Sequence, residues 1–559
     1  MEQIHSLGLN NRILVLEVKF NQPRRQCENE AMRPCNPREN SIASPITSTA
    51  TSSKARREWQ LEPRSLQSAS KNAQSQDVFE VQRRVLLGLT IFAGAWLRFH
   101  LLAHKSFWFD EGFSVGVARL DWTNLLHLLW VREANMALYY VLLKLWLGFG
   151  ISEFYVRSLS LVFGLAAIPM VYALGARLFG ARTGLIAAFL LSINAFHVRY
   201  SQEARGYTLL VFLSALCSWL WVRCIDDPAP RNWRLYTVAS LLTVYSHFYG
   251  VLVVMAHWLS LGLLPPAMRP RAAVLRWLRF FAYGVLPLVI VVWRVGAQPM
   301  NWLARPDSAI MRHFFESLAG NGGYKLLGLY VLSWIAAADG LRRSDRSQRW
   351  RYHVLLLWLA FPIVAVFAVS QYKSIFLARY LIACLPASVL LAAAGIARLR
   401  GIAQAGMLLV IGILSIGGVF SYYQRDFDVG RDDWRAATQY VLANAQPGDG
   451  IFFYTAPGRM SFEYYRLLSG TASKHPEVIY PTSGERMTYR DFLTTPLGEV
   501  LQSSLPQPKR VWVFLNDHRP RGHMDMGSEV VCAWYGKRYR LLSKTSIDEL
   551  DVLLYADEH

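Results

Sequence analysis

Long apolar runs alternate with short basic segments from residue 85 to residue 420. Runs such as VLLGLTIFAGAWL, SLVFGLAAIPMVYALGA and VLLLWLAFPIVAVFAV approach the roughly 20 residues that an α-helix needs to cross a bilayer. The pattern predicts a polytopic α-helical membrane protein with about eleven transmembrane helices.

The basic segments between the apolar runs predict the orientation of the chain in the membrane. Because short loops rich in Lys and Arg stay in the cytoplasm, we assign the clusters to that side. The clusters are VQRR (83–84), ARLFGART (177–182), RCIDDPAPRNWR (223–234), AMRPRAAVLRWLR (269–279), LRRSDRSQRWR (342–351) and ARLRG (398–400).

Because the first two basic clusters lie on the same side, the chain must cross the membrane an even number of times between them. Three apolar runs lie there, at 85–102, 136–149 and 158–176. The middle run is the shortest and contains Lys144. We therefore predict that it forms a helix along the membrane surface, within a first external loop at 104–156.

The two ends of the chain differ in composition from its centre. Residues 1–80 are rich in Pro, Ser, Thr, Asn and charge, which predicts a disordered extension or a start site placed too far upstream, with Met32 as one alternative. The transmembrane domain is expected at 81–422. Alternating helical and strand patterns at 423–559 predict an extracytoplasmic α/β domain, either a lid or acceptor site or a stabilising cap.

Composition narrows the class of protein. The 559 residues are 53% hydrophobic and carry a formal net charge of +20, which is too apolar for a soluble protein. The basic residues are divided among many loops and form no single face, so nucleic acid is not an expected partner. The six cysteines show no metal-binding spacing.

The stretch SFWFDEGFSV places two adjacent carboxylates, Asp110 and Glu111, just after the first apolar run. Charged groups beside hydrocarbon are costly and tend to pair with one another or contact a substrate. Three further polar stretches are expected at the same outer boundary: REANMALYY, FHVRYSQEARGYTLL and YSHFYG. Each alone is consistent with an interfacial ion pair or an aromatic belt, whereas four together favour a shared cleft.

In this order the motifs resemble those of the C-superfamily membrane glycosyltransferases, specifically family 39, which includes protein O-mannosyltransferases and the lipid A aminoarabinose transferase. The resemblance rests on WFDEGFS, NMALYYVLLKLW, SEFYVRSLSLVFGLAAIPMVYALGARLFG, YSQEARGY, YSHFYG, ARYLIACLPA and RDDWRAATQYV. It implies an enzyme of the bacterial inner membrane. The enzyme would move a sugar from a polyprenyl-phosphate donor to an extracytoplasmic glycan, lipid or protein acceptor, with inversion.

The resemblance also implies roles for the acids. Asp110 matches the family's catalytic base, with Glu111 as an orienting neighbour or a substitute, and adjacent carboxylates raise each other's proton affinity. Glu203 matches a second acidic position that contacts the sugar or pairs with Arg205, and Arg205 is expected either to contact substrate or to serve only as that partner. The tyrosines of the same motifs, Tyr139 and Tyr207, are expected to contact substrate.

Cations are needed for the leaving phosphate, and YKSIFLARYL supplies Lys373, Arg379 and Tyr380. The alternative for Arg379 is a helix anchor at the interface.

In the aminoarabinose transferase a divalent ion is bound at positions that match Glu133 and His247, although other relatives do not obviously use a metal. The sequence NMALYY departs from the HPPLYY common among relatives, so we expect the donor or acceptor preference to differ from theirs.

Two other functions compete with transfer. A transporter or flippase of lipid-linked saccharides would be expected to show internal repeats and broken helices at matching positions, and the sequence shows no clear period. A non-catalytic assembly subunit would tolerate loss of Asp110. The sequence identifies neither the sugar, the acceptor nor the oligomeric state.

Overall fold

The computed structural model describes residues 62–295, 303–424, 432–470, 476–481, 487–492, 497–502, 507–516, 526–548 and 550–557. The predicted disordered extension lies outside these residues as far as position 61. Its last part instead belongs to a helix that begins at Glu62. Ser75–His559 form one compact unit.

Sixteen helices precede the C-terminal region in the described residues. They are α1 (Glu62–Phe99), α2 (Phe109–Arg119), α3 (Trp122–Val131), α4 (Ala137–Trp146), α5 (Glu153–Phe179), α6 (Ala181–Ser192), α7 (Ala195–Ser201), α8 (Tyr207–Asp226), α9 (Pro230–Ser246), α10 (Gly250–Ser260), α11 (Arg271–Val295), α12 (Ser308–Ala319), α13 (Gly323–Arg343), α14 (Arg346–Ser370), α15 (Leu385–Ile396) and α16 (Gly401–Gln424). A 3₁₀ segment, Ala378–Cys384, leads into α15.

Six of the helices in the described residues are long and apolar enough to cross a membrane, or seven if the bent pair α6 and α7 is one span. The predicted number of about eleven is therefore not confirmed. The run at 136–149 forms the short helix α4, as the parity argument required.

Local sequence explains where α5 and α6 begin and how closely they pack. Ser152 caps α5 by accepting a hydrogen bond from the Tyr155 amide. Gly180 separates α5 from α6 at a φ of +93°, which only glycine adopts without strain. A Cβ on Gly184 would lie 2.5 Å from the Tyr172 carbonyl oxygen, so this glycine allows the two helices to touch.

The bend of 63° between α6 and α7 exposes carbonyl groups that Arg98 of α1 satisfies. Its Nη1 donates to the Ser192 carbonyl at 2.8 Å and its Nη2 to the Leu191 carbonyl at 3.2 Å. Arg98 is fully buried, and a buried charge is tolerated only when its donors are used in this way.

At one end of the bundle, which we call the arginine end, residues of four predicted cytoplasmic clusters meet. Arg177 and Arg351 both approach Asp226, at 3.0 and 3.7 Å, and Arg398 pairs with Asp339 at 2.8 Å. The distribution is the one that the positive-inside rule predicts for a single membrane face.

The C-terminal region forms a five-stranded sheet with helices on both faces. Its elements are α17 (Trp434–Asn444), β1 (Gly450–Tyr454), α18 (Gly458–Leu468), β2 (Glu477–Tyr480), α19 (Leu497–Gln502), β3 (Arg510–Asn516), α20 (Met526–Gly536), β4 (Arg540–Ile547) and β5 (Leu550–Ala556). The strand order is β2-β1-β3-β5-β4, parallel from β2 to β3 and antiparallel thereafter.

Alternate residues of the strands pack on opposite sides of the sheet. Phe514 of β3 stacks on Trp434 of α17 at a centroid distance of 5.5 Å. On the other face Phe452 of β1 meets Tyr535 of α20 at 5.6 Å. The period of two along each strand therefore builds two separate apolar layers.

Helix α18 packs directly on α2, the helix that begins beside the paired acids. Gly112 and Gly116 of α2 face Ser461 and Met460, and a Cβ on Gly112 would lie 1.9 Å from the Ser461 Oγ. The Tyr465 hydroxyl of α18 receives a hydrogen bond from the Phe107 amide at 2.6 Å. The C-terminal region thus fixes the start of α2.

Candidate active site

The two adjacent acids of α2 have different surroundings. Glu111 is fully buried and accepts two hydrogen bonds of 2.7 Å from Arg157 of α5, through Nε and Nη2. It also accepts the Ala204 amide at 2.9 Å. Glu111 therefore joins α2, α5 and the loop after α7, and both of its oxygens are already used.

Asp110 faces a less enclosed space between two cations. Its Oδ2 lies 3.8 Å from Nη2 of Arg205 and 3.6 Å from Nη2 of Arg379. The side chains remain 21%, 10% and 16% exposed, respectively, so a ligand could reach all three. The structure brings together these three predicted site residues from distant parts of the chain.

Neighbouring side chains orient the two guanidinium groups. Nη1 of Arg205 donates to the Ser114 Oγ at 3.2 Å. The Arg379 guanidinium lies over the Trp108 ring at 5.3 Å from its centroid. Contacts of this kind fix the direction of the charges, as a pre-organised anion site requires.

An aromatic wall stands beside the two arginines. Tyr380 lies 4.7 Å from the His247 ring, 5.3 Å from Tyr249 and 6.4 Å from Tyr207 between centroids. The Tyr207 hydroxyl is buried and has no hydrogen-bond partner among the described residues. A buried hydroxyl without a hydrogen-bond partner is costly, and such a group is well suited to bind a ligand.

Three predicted site residues take other positions. Glu203 pairs with Arg199 at 3.0 Å, whereas the Arg205 side chain turns to Asp110, so the suggested Glu203–Arg205 pair is wrong. The Tyr139 hydroxyl bonds the Ser160 Oγ at 2.8 Å inside the bundle. Lys373 is exposed on the turn after α14.

The expected metal pair, Glu133 and His247, is not part of a larger ligand group in the described residues. Nδ1 of His247 accepts the Tyr249 amide at 3.1 Å, and its Nε2 lies 3.5 Å from Nδ2 of Asn135. Burial, reinforced by Arg205 and Arg379, lowers the pKa of His247 to about 3, so the ring is neutral. The described residues contain no group of three or more His, Cys, Asp or Glu ligands.

Glu133, the other expected ligand, is held near the cations. It pairs with Arg132 at 3.5 Å, and burial raises the pKa of its carboxyl above the ordinary value. Asn135, which occupies the place of the usual histidine, accepts the Phe248 amide at 3.0 Å and so braces the hairpin that carries His247.

Sequence reasoning missed Arg157, Ser114 and Trp108 as parts of the site. A signal for Arg157 existed, because an arginine inside the apolar run of SEFYVRSLSLVFGL needs a buried acidic partner. The other two gave no signal, since serine and tryptophan are ordinary at a membrane boundary.

Comparison with known proteins now adds to this geometry. Residues 133–293 match the family described as dolichyl-phosphate-mannose-protein mannosyltransferase. Crystal structures of ArnT from Cupriavidus metallidurans are similar to this chain, in the apo state with a TM-score of 0.52 and bound to undecaprenyl phosphate with a TM-score of 0.54. Each is 12% identical to this chain and covers 83% of it and 97% of ArnT.

The resemblance to the family 39 membrane glycosyltransferases of the C superfamily is confirmed. The fold of this chain is that of the ArnT crystal structures. An oligosaccharyltransferase of Archaeoglobus fulgidus is also similar, at 12% identity and a TM-score of 0.44 over 69% of this chain and 63% of its own. No curated protein sequence matches the chain significantly.

Proposed function

We propose that the protein transfers a sugar from a polyprenyl-phosphate donor to a hydroxyl or amine acceptor outside the cytoplasm. The observation that carries this proposal is the position of Asp110, whose carboxylate lies within 4 Å of both Arg205 and Arg379 in a partly open cleft. A base beside two phosphate-binding cations is what transfer from a lipid phosphate needs.

Asp110 serves as the general base in this proposal. Its carboxylate takes the proton of the acceptor as the acceptor oxygen or nitrogen attacks the anomeric carbon. The bond from that carbon to the phosphate oxygen breaks, and its electron pair stays on the phosphate. Attack opposite the leaving group inverts the anomeric centre. Glu111 is unsuited to the same step because Arg157 and the Ala204 amide already occupy it.

The two arginines receive the leaving phosphate. A guanidinium presents paired N–H donors that match phosphate oxygens, and its charge persists at any physiological pH. Nε of Arg205 and Nε of Arg379 are buried and have no hydrogen-bond partner among the described residues. Both groups thus keep donors for a ligand, which supports phosphate binding over a role as helix anchors.

The sugar would lie against the aromatic wall, with the Tyr207 hydroxyl as a donor to it. No step is assigned to a metal ion, because the described residues contain no group of three or more His, Cys, Asp or Glu ligands. The ArnT structure bound to undecaprenyl phosphate supports a polyprenyl donor for a protein of this fold. The identities of the sugar and acceptor do not enter the proposal.

The test is the substitution Asp110→Asn in purified protein given a panel of polyprenyl-phosphate sugars, with release of free lipid phosphate as the readout. We expect a loss of at least about 100-fold in rate, because general bases contribute on this order. Full activity in a folded Asp110→Asn protein would exclude the proposed mechanism.

Two controls accompany that test. Asp121→Asn changes an exposed acid that caps α3 on the same loop, and asparagine caps equally well, so its rate should stay near wild type. Glu111→Gln leaves the buried Arg157 without its charge partner and should lower stability by about 3–5 kcal/mol. Thermal unfolding of each variant separates misfolding from lost chemistry.

A further inference from the structure

A second cavity lies at the arginine end, remote from Asp110. It has a volume of about 420 Å³ and opens between α5, α6, α14 and α15. Its lining includes Arg177, Arg351, Arg398, Thr183 and Gln348 and contains no acidic residue. A concave site of this size is large enough for a small polar ligand.

Positive charge exceeds negative charge around this cavity. Arg177 and Arg351 share one carboxylate, that of Asp226. Arg398 shares Asp339 with Arg343, which pairs with it at 3.0 Å. Each acid is thus divided between two guanidinium groups, and the surplus charge favours an anion.

Two sets of N–H donors also lie at the cavity. Helix α6 begins there at Ala181. The preceding residue, Gly180, has no side chain to cap the first-turn amides, and the N-terminus of a helix attracts anions. Nε of Arg177 is buried and lacks a hydrogen-bond partner among the described residues. The cavity therefore offers unused donors as well as charge.

Apolar surface adjoins these donors. Nη2 of Arg182 donates to the Leu399 carbonyl at 3.1 Å, which places the loop before α16 beside the start of α6. Leu399 in that loop is 36% exposed, and Ile402 in the first turn of α16 is 92% exposed. Exposed aliphatic side chains next to an anion site favour a ligand that carries hydrocarbon.

We propose that this cavity binds the phosphate headgroup of an anionic phospholipid from the cytoplasmic leaflet. Phosphate is the shared chemistry, and the adjoining apolar surface selects a lipid over free phosphate. Basic pockets between transmembrane helices on this side of a membrane are suited to such headgroups. The proposal does not depend on the transferase activity, since none of the residues involved lies near Asp110.

The experiment titrates the purified full chain in detergent with cardiolipin, phosphatidylglycerol, phosphatidylcholine or inorganic phosphate, and counts bound lipid by native mass spectrometry. Arg398→Gln should weaken cardiolipin binding about tenfold, because a charge-assisted hydrogen bond is lost. Asp339 keeps Arg343 as its partner in that variant, so folding should survive.

A second variant protects the test against misfolding. Gln348→Glu places a negative charge in the lining at an exposed position and should also weaken cardiolipin binding, whereas Arg342→Gln, an exposed arginine outside the lining, should not. Equal binding by wild type, Arg398→Gln and Gln348→Glu would overturn the proposal. So would equal binding of phosphatidylcholine, or occupancy by inorganic phosphate that excludes the lipid.

Discussion

Single side chains at the candidate site divide into those that hold the protein together and those left available for a ligand. Glu111 and Arg157 belong to the first group, because a doubly hydrogen-bonded ion pair with almost no exposure has little freedom to move. Asp110, Arg205 and Arg379 belong to the second. Resemblance alone could predict that acids and arginines matter, but it could not tell the two neighbouring acids apart.

The two acids could not be told apart from sequence because the partner of Glu111 lies far from it along the chain. Glu111 and Arg157 are separated by 46 positions, and only the packing of α2 against α5 brings them together. The pair of Arg199 and Glu203 is four residues apart and could have been predicted from its spacing. Contacts within one helical turn can thus be predicted from sequence, whereas contacts between helices need the fold.

Arg379→Ala is expected to weaken binding of the donor lipid by about 10-fold to 100-fold, because hydrogen bonds to charged groups contribute about 1.5–3 kcal/mol. Arg379→Lys should recover only part of the affinity, since lysine keeps the charge but lacks the planar fork. The measurement is equilibrium binding of a polyprenyl-phosphate sugar.

The matched control is Arg312→Ala, which removes an arginine whose side chain is 71% exposed on α12 and should leave binding unchanged. Unaltered donor affinity in Arg379→Ala would make Arg379 a helix anchor and leave the phosphate without this partner.

Helices and strands were easier to predict than the number of membrane crossings. After residue 430 the described residues alternate between helices and strands, as the sequence pattern predicts, because the segments keep a clear period and turn residues bound them. Sequence reasoning missed the helices α19 and α20. Crossings could not be counted because several bundle helices are short or carry polar residues that other helices cover.

Gly112→Ala is expected to lower both kcat and stability, because the added Cβ would collide with Ser461 and push α2 away from α18. The start of α2 carries Asp110, so a small rotation of this helix moves the base away from its acceptor. Steady-state kinetics with thermal unfolding would measure the two effects.

Removing the opposing side chain provides a matched rescue. The double variant Gly112→Ala with Ser461→Gly should regain part of the rate, whereas Gly88→Ala, which meets no atom within 4 Å, should behave as wild type. A Gly112→Ala protein with unchanged kcat would show that the contact with α18 does not position Asp110.

On the scale of the whole molecule, the two ends of the bundle carry different chemistry. The arginine end holds basic pairs and a cavity, and the opposite end holds Asp110, the aromatic wall and the C-terminal sheet. The positions of Lys and Arg along the sequence predict that the end with the arginine clusters faces the cytoplasm, and this orientation stays a prediction.

Cysteine labelling tests this orientation. Tyr372→Cys, at a position 91% exposed near the Asp110 end, should react with a membrane-impermeant maleimide in intact cells. Arg342→Cys should react only after permeabilisation. The background replaces Cys27, Cys35 and Cys532 by serine and keeps the buried Cys217, Cys224 and Cys384. The reverse pattern would place Asp110 in the cytoplasm and contradict the assigned membrane side.

The contact of Asp110 with two arginines has a consequence for the kinetic order of the substrates. Without a substrate, both guanidinium groups lie within 4 Å of the Asp110 carboxylate, so a phosphate that binds them must compete with this acid. A donor that carries its own phosphate would compete for the arginines and release the Asp110 carboxylate, which could then take the proton of the acceptor. Initial-rate patterns should therefore show donor binding before acceptor; a random order would contradict this coupling.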